Sequence, residues 1–557
     1  MTTFIDLLQK FYTESPNRTC VHLQKAGEDD LSLSYSQLIV GANVYAQIYA
    51  ERGIKSGEVV VLILQHGPRL LYAFWGAVLH GAIPSIMPFL TEKLSPERYR
   101  ADLSALISVT KPVAIITYPE FEGNVRDAID VGDSVREVIL ADQIPPASNA
   151  NLSLFGGPQH SPENIVLLQH SSGTTGLQKG VALSHRAVLN QLDAYSESLA
   201  LDTEKDVIVS WLPLYHDMGL IAGFLLPLLK GVPLVLMSPF DWVRAPYKLM
   251  QSVSKYKGTL TWLPNFAYVF CARKIRTRHL EGVDLSSWRA IINCSEPVRW
   301  DSHQAFYEKF KDYGLKLESL QTSYAMAENT FAVTQSNISR PPMVDDVDAE
   351  SLFTGGITRP ARANSPSVKM MSSGQVIPNT RVRVIDPDGK EVQEREIGEI
   401  ALKSDCMLTG YYNRPKTTAK AFRGEWYLTG DFGYLVGEEL FVSGRKKELI
   451  IVGGKNIYPQ DLERLVYEVE GIHAGRAVAF GLYDERTGTE EVVIVAEADV
   501  ATDEARLILA DEVRKYVTQN SAVTLRQVKI VPEKWIVKTS SGKAARGANK
   551  EKYLRES

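Results

Sequence analysis

Short apolar runs separated by longer amphipathic ones set the pattern of the first 330 residues. VVVLIL (59–64) is followed by RLLYAFWGAVLHG and then AIPSIM; VAIIT (113–117), EVILA (137–141), DVIVSWLP (206–213), VPLVLM (232–237) and AIINC (290–294) continue the series. Apolar strands of this kind, spaced by helical periodicity, predict buried and largely parallel sheets covered by helices. From residue 380 the pattern changes: RVRVIDPDGKEV, GEIALKS and GEELFVSGR read as short strands joined by turn residues, a small antiparallel unit. After Arg445 come ELIIVGG, a helix from Asp461, AGRAVAFGL, EEVVIVAEA and a helix at 503–518, a compact α+β arrangement. The fold class expected is α/β, with a large N-terminal domain (1–444) of parallel-rich βα sheets plus the antiparallel unit. A small, mobile α+β C-terminal domain (445–557) follows, the boundary lying near Gly444 to Lys447.

Two further stretches test this picture. MTTFIDLLQKFYTESPN predicts a short amphipathic helix ending before Pro16. MGLIAGFLLPLLKGVPLVLM is broken by Pro227, Lys230 and Pro233, so it predicts a buried helix, a turn at Gly231 and a buried strand, not a membrane span. With 557 residues, two to four domains are expected. A net charge of -5 argues against a general nucleic-acid surface. The four cysteines, Cys20, Cys271, Cys294 and Cys406, have no metal-ligand spacing and read as reduced thiols. The N-terminus lacks a basic and then apolar leader, so a cytosolic location is expected.

Candidate chemistry begins at LLQHSSGTTGLQKGVALSH (167–185). A Walker loop needs Gly, four residues, then Gly-Lys-Ser/Thr, followed by a helix. Here Gly173, Gly176, Lys179 and Gly180 are spaced differently, and the β-branched stretch Val181 to Leu183 follows. A phosphate would therefore meet hydroxyls, amides and one lysine in a hairpin-like loop. Four later segments stand out. SYAMAENTF (323–331) places Tyr324 four residues before Glu328; WYLTGDFGYL (426–435) sets Asp431 in a Gly-flanked turn; VSGRKKELIIVGGKNIYPQDLE (442–463) carries Arg445; KTSSGKAAR (538–546) carries Lys543. Taken singly these are a turn, a core aromatic, a cap residue and a solvated lysine.

Together, in this order, the five segments resemble the adenylate-forming superfamily of acyl-CoA synthetases, firefly luciferases and peptide-synthetase adenylation domains, over roughly residues 10 to 550. The resemblance implies that a carboxylate attacks the α-phosphate of ATP, giving acyl-AMP and pyrophosphate. It implies that the loop from Ser171 and Ser172 through Thr174, Thr175 and Gly176 to Lys179 holds the departing phosphates, and that Glu328 and Thr174 meet Mg²⁺. By the same resemblance Tyr324 stacks on adenine and Ser295-Glu296-Pro297 lines it. Asp431 takes the ribose hydroxyls with Arg445 nearby, Lys543 bridges the substrate carboxylate and the α-phosphate, and Lys447 is the hinge of the small domain. The chain departs from the family pattern at Gln178, Ala325 and Ala327, none of which removes a charge.

Several segments are similar to one branch, the fatty acyl-AMP ligases: WLPLYHDMGL (211–220), LPNFAYVFCARKI (263–275), NCSEPVR and YPQDLE. In that branch His216 borders the acyl carboxylate and Phe266 the acyl tunnel. The interval from 329 to 373 is longer than acyl-CoA synthetases use, and its segment 341–371 reads as an insertion with little structure of its own. The resemblance implies that this segment restrains the small domain and disfavours CoA, with Met343, Val344, Val347, Leu352 and Phe353 as anchors. A medium- or long-chain fatty acid and the phosphopantetheine thiol of an acyl carrier protein are then the implied substrate and acceptor. GGKNIYP, however, is similar to acyl-CoA ligases, which keeps CoA open as the acceptor. A silent acyl-adenylate-binding module is the third reading.

Overall fold

The computed structural model describes residues 2–25, 27–89, 96–145, 160–171, 179–353, 356–363, 365–452, 455–486, 489–521, 523–538 and 544–556. Two sheets share one apolar core. The first has seven strands in the order Gly410–Tyr411, Lys179–Ser184, Ile165–Ser171, Ile83–Ile86, Val59–Leu62, Ala114–Thr117, Glu137–Leu140. It is parallel from Ile165–Ser171 onward, while Lys179–Ser184 and Gly410–Tyr411 run antiparallel on its edge. The second has nine strands in the order Gln375–Val376, Ala332–Gln335, Leu320–Ala325, Ala290–Asn293, Leu260–Leu263, Ile208–Ser210, Leu234–Met237, Thr19–Gln24, Leu31–Ser34. Its central strands are parallel and fully buried, which is why they read as unbroken apolar runs.

The helices Tyr35–Glu51 and Pro68–His80 pack closely. A Cβ at Gly76 would sit 2.6 Å from the Ala42 carbonyl, so only glycine permits that approach. Phe74 and Trp75 then reach Phe224, at ring separations of 5.5 and 5.8 Å. The strand Thr19–Gln24, the hairpin partner Leu31–Ser34 and the helix Tyr35–Glu51 are elements the apolar pattern does not announce. TCVHLQ interleaves polar residues because it lies near the sheet's edge, buried only at Cys20, Val21 and Leu23.

The expected antiparallel unit is present, with Thr380–Ile385, Gly398–Ser404, Trp426–Val436 and Phe422–Arg423 in order and Glu439–Arg445 added to Trp426–Val436. Beyond Arg445, the hairpin Ile450–Val452/Lys455–Ile457 and the helices Pro459–Tyr467 and Asp503–Ser521 accompany the sheet Ile472–Asp484, Thr489–Ala498, Leu525–Val531. Leu462, Leu465, Ala477, Ile494, Val513 and Val517 build its core. No apolar cluster among the described residues crosses Arg445.

The segment 341–371 departs from expectation. Far from lacking structure, it forms the antiparallel pair Val344–Asp348/Ser367–Met371 and the helix Ala349–Phe353. Nor do its apolar residues all anchor it to the small unit. Val347, Leu352 and Val368 are buried against Tyr434 and Phe441 of the antiparallel sheet. Met343 is 40% exposed, Val344 is half-buried, and the side chain of Phe353 lies outside the described residues. The reason is charge as well as shape: buried Asp345 accepts both Arg395 Nη atoms at 3.0 Å and the Tyr434 hydroxyl at 3.0 Å. That arrangement satisfies a carboxylate that would otherwise be costly to bury.

Asp345→Ala strands the Arg395 guanidinium in a mostly buried position and should destabilise the segment by about 3 kcal/mol. Limited proteolysis within 349–366 and the melting temperature check this, with Asp346→Ala, on the exposed face of the same strand, expected to change neither.

Candidate active site

The Gly/Ser/Thr loop closes a β-hairpin. Ile165–Ser171 and Lys179–Ser184 pair antiparallel with Ser171 opposite Lys179, so the chain leaves one strand and re-enters the next at the lysine. Ser172, Thr174, Thr175 and Gly176 lie outside the described residues, as does the Ser171 side chain. Beneath the hairpin, His170 Nε2 meets Ser85 Oγ at 2.6 Å, and burial lowers the imidazole pKa to about 4, which keeps it neutral.

Lys179 and Glu328 are brought together by a residue the sequence did not single out. The Lys179 ammonium lies 4.4 Å from the Tyr411 ring centre, and the Tyr411 hydroxyl donates to Glu328 Oε1 at 2.8 Å. Tyr411 also shares a 2.9 Å hydrogen bond with the Tyr427 hydroxyl. Tyr411 reaches this point because Gly410–Tyr411 adds to the edge of the loop's own sheet. Burial lowers the Lys179 pKa, opposed by Glu328 and reinforced by Lys447 and Arg414. Burial raises that of Glu328, opposed by Tyr411 and Lys179. The Lys447 charge that acts on Lys179 comes from the turn Lys446–Glu448.

Asp431 is presented by a bulge. Glu399 pairs with Phe432 and Ala401 with Leu428, so Thr429, Gly430 and Asp431 oppose a single residue. The Thr429 hydroxyl donates to the Ile400 carbonyl at 2.7 Å and accepts the Asp431 N–H at 3.0 Å, which fixes the bulge. The carboxylate that results accepts the Tyr324 hydroxyl at 2.6 Å and faces Arg445 Nε at 3.2 Å. Burial and then the Asp431 charge push the Tyr324 hydroxyl pKa well up, so it remains a donor. The Asp431 charge raises the already high Arg445 pKa.

The loop 295–297 is clamped by the helix Asn265–Lys274 and by Met218. Ser295, not a glycine, has φ +68°, and strain of this kind persists only where the surroundings enforce it. Glu296 Oε2 accepts the Phe266 N–H at 3.0 Å. Asn293 Nδ2 donates to Asn265 Oδ1 at 3.1 Å, and Asn265 Oδ1 also accepts the Arg299 N–H at 3.2 Å. The Cys294 thiol donates to Met218 Sδ at 3.0 Å, tying the loop to the stretch that carries His216. That stretch winds into a π-helix, Met218–Leu225, of the kind found often at functional sites. A Cβ on Gly219 would lie 2.2 Å from the Pro213 carbonyl, so only glycine allows the chain to fold back there. The Phe266 ring sits edge-on to the stacked Trp211 and Trp242, whose centroids are 3.6 Å apart, and is itself 39% exposed.

The described residues form two clusters, Lys179–Tyr411–Glu328 and Tyr324–Asp431–Arg445, with the Glu328 charge acting on Arg445, and Glu296 ties the loop 295–297 to Phe266. Lys543 lies outside the described residues. The residues missed by sequence reasoning are Tyr411, Tyr427, Asn265 and Asn293. The only signal for Tyr411 was GYYNRP, between two strands of the antiparallel unit.

Residues 8–412 match the family described as AMP-binding enzyme. The medium-chain-fatty-acid–[acyl-carrier-protein] ligase JamA of Moorena producens is 29% identical over 99% of this chain and 95% of its own length. The long-chain-fatty-acid–AMP ligase FadD26 of Mycobacterium bovis is 31% identical over 98% of this chain and 96% of its own. A solved structure from a study of fatty acyl-adenylate ligases of E. coli and L. pneumophila superposes with a TM-score of 0.90 at 27% identity, covering 100% of this chain and 98% of that one. The α/β architecture agrees with these likenesses, and the chain belongs to the AMP-binding enzymes, as an adenylate-forming ligase that uses ATP.

Proposed function

We propose that this protein activates a medium- or long-chain fatty acid as acyl-AMP and passes the acyl group to the phosphopantetheine thiol of an acyl carrier protein, working in the cytoplasm. The observation that carries the reading is the pair of clusters Tyr324–Asp431–Arg445 and Lys179–Tyr411–Glu328, coupled by the Glu328 charge acting on Arg445. The names of JamA and FadD26 support the acyl substrate, and that of JamA the carrier acceptor. In the first step a carboxylate oxygen bonds to the α-phosphorus and the bond to the bridging oxygen of the β-phosphate breaks, releasing pyrophosphate. In the second the thiol sulfur bonds to the acyl carbon, its proton is lost, and AMP departs.

The division at 444/445 is part of the same proposal, supported by separate apolar cores on the two sides. Lys179 offers charge to the departing phosphates, Asp431 accepts the ribose hydroxyls, Tyr324 stacks on adenine and 295–297 lines it. His216 and Phe266 flank the carboxylate and the chain. Mg²⁺ fits Glu328: among the described residues no trio of acidic, His or Cys ligands exists, and a single half-buried carboxylate suits an ion that completes its shell with phosphate and water. Such an ion neutralises phosphate charge, with Thr174 as the second candidate ligand.

Pyrophosphate release dependent on dodecanoic acid tests the reading, and its absence would favour a silent adenylate-binding module. Lys543→Ala should lower acyl-AMP formation roughly 10²–10³-fold while ATP still binds, measured by single-turnover quench and by calorimetry. Lys447→Pro fixes φ and removes an N–H. Acyl-AMP formation should survive it while transfer to the carrier falls, because only the second step needs the swing; equal loss of both steps would place the hinge elsewhere.

The helix Ala349–Phe353 comes within 8 Å, Cα to Cα, of Asp503–Ser521 and Lys455–Ile457 in the C-terminal unit. This contact supports a restraint that depends on the orientation of that unit, since equal contacts in both orientations would shift nothing. Replacing 341–371 by a short Gly/Ser bridge should raise acyl-CoA formation and leave acyl-AMP formation unchanged, read by product mass with CoA as acceptor. Robust CoA ligation by the intact chain would instead make it an acyl-CoA ligase.

A further inference from the structure

Glu399 touches both the turn that presents Asp431 and the segment that leads into the C-terminal unit. It lies on the strand Gly398–Ser404 and is 9% exposed. Its Oε1 accepts the Gly430 N–H at 3.2 Å, and its Oε2 accepts the Lys446 ammonium at 2.8 Å. Gly430, at φ +72°, immediately precedes Asp431. Lys446 immediately follows Arg445, which pairs with Asp431 both in strand register and through its guanidinium. The contacts close a ring: Glu399 to Gly430, along the chain to Asp431, across to Arg445, along the chain to Lys446 and back to Glu399.

The two ends of this ring differ in freedom. Glu399 is fixed in the middle of a sheet, hydrogen-bonded to strands on both sides. Lys446 opens the three-residue turn Lys446–Glu448, and its side chain is 55% exposed. A rotation at Lys447 turns only the chain that follows it, so the ion pair keeps Lys446 on the side of the antiparallel sheet, one residue before the pivot. We infer that Glu399 is a positioning residue that links the Asp431 turn to the orientation of the C-terminal unit. Its ion pair with Lys446 holds the residue that precedes the pivot at Lys447, and so sets the axis about which the unit turns. This rests on the two-step reading proposed above. A nucleotide that engages Asp431 bears on the same turn that Glu399 holds through Gly430, so occupancy and orientation bias one another through a shared carboxylate.

The alternative is an ordinary surface ion pair with no bearing on the reaction. Glu399→Gln keeps an oxygen acceptor for the Gly430 N–H and removes the charge facing Lys446. Lys446→Met removes the other charge at an exposed position and keeps the test open should the first variant fold poorly. Rates of acyl-AMP formation from ATP and dodecanoic acid, and of transfer to a holo acyl carrier protein, are measured separately for both, for the double variant and for Arg526→Met. The last opens the comparable Arg526–Glu491 pair on the C-terminal unit. Each single variant should shift the ratio of transfer to adenylation about fivefold or more in the same direction. The double variant should go no further, and Arg526→Met should leave the ratio at the wild-type value. A ratio unchanged in a folded, active Lys446→Met enzyme, or additive effects in the double variant, would overturn the inference. Absence of acyl-AMP from the wild-type enzyme would overturn the two-step reading itself.

Discussion

Asp431 keeps a carboxylate at 8% exposure, a position that charge tolerates only when donors replace water. Those donors come from far apart in the chain: the Tyr324 hydroxyl from a central sheet strand, and Arg445 from the last strand before the C-terminal unit. The bulge at Thr429 to Asp431 turns the carboxylate toward both. The nine-stranded sheet, the antiparallel unit and the boundary strand must therefore dock together before this one charge is satisfied. The same group is the natural acceptor for paired hydroxyls, so what the fold must satisfy and what a ribose would meet coincide.

Around Lys179 and Glu328 the physics runs the other way. Burial disfavours the charged form of each, pushing the lysine pKa down and the carboxyl pKa up. Tyr411 stands between them, with its ring facing the cation and its hydroxyl the carboxylate. A polyphosphate would strengthen the ammonium, and a divalent cation would strengthen the carboxylate. The locus is thus better matched to that pair of partners together than to either alone.

The parallel sheets were legible because strands buried on both faces are written as apolar runs, as at Val59–Leu62 and Ala290–Asn293. The helix Phe4–Glu14, the turn at Gly231 and the antiparallel unit were legible for equally local reasons. Thr19–Gln24 was not, since near an edge it needs no continuous apolar run. The π-helical winding of Met218–Leu225 leaves no mark on an apolar stretch that any helix would share. Chemistry followed the same divide: Lys179, Glu328, Tyr324, Asp431 and Arg445 sit in recognisable strings of residues. Tyr411 and Asn293 act only through what the fold sets beside them, and GYYNRP and IINCS say nothing of a neighbour more than eighty or about thirty residues away in the chain.

The segment 341–371 carries within itself most of what it needs. Val347, Leu352 and Val368 supply a miniature core, Asp345 supplies a charged contact, and Tyr434, Phe441, Ile397 and Arg395 of the host meet them. It enters and leaves the host through adjoining strands, since Val344 pairs with Met371. An element with neighbouring ends is a cassette: a chain could gain or lose it at one point without redrawing the strands that carry Asp431 and Tyr324.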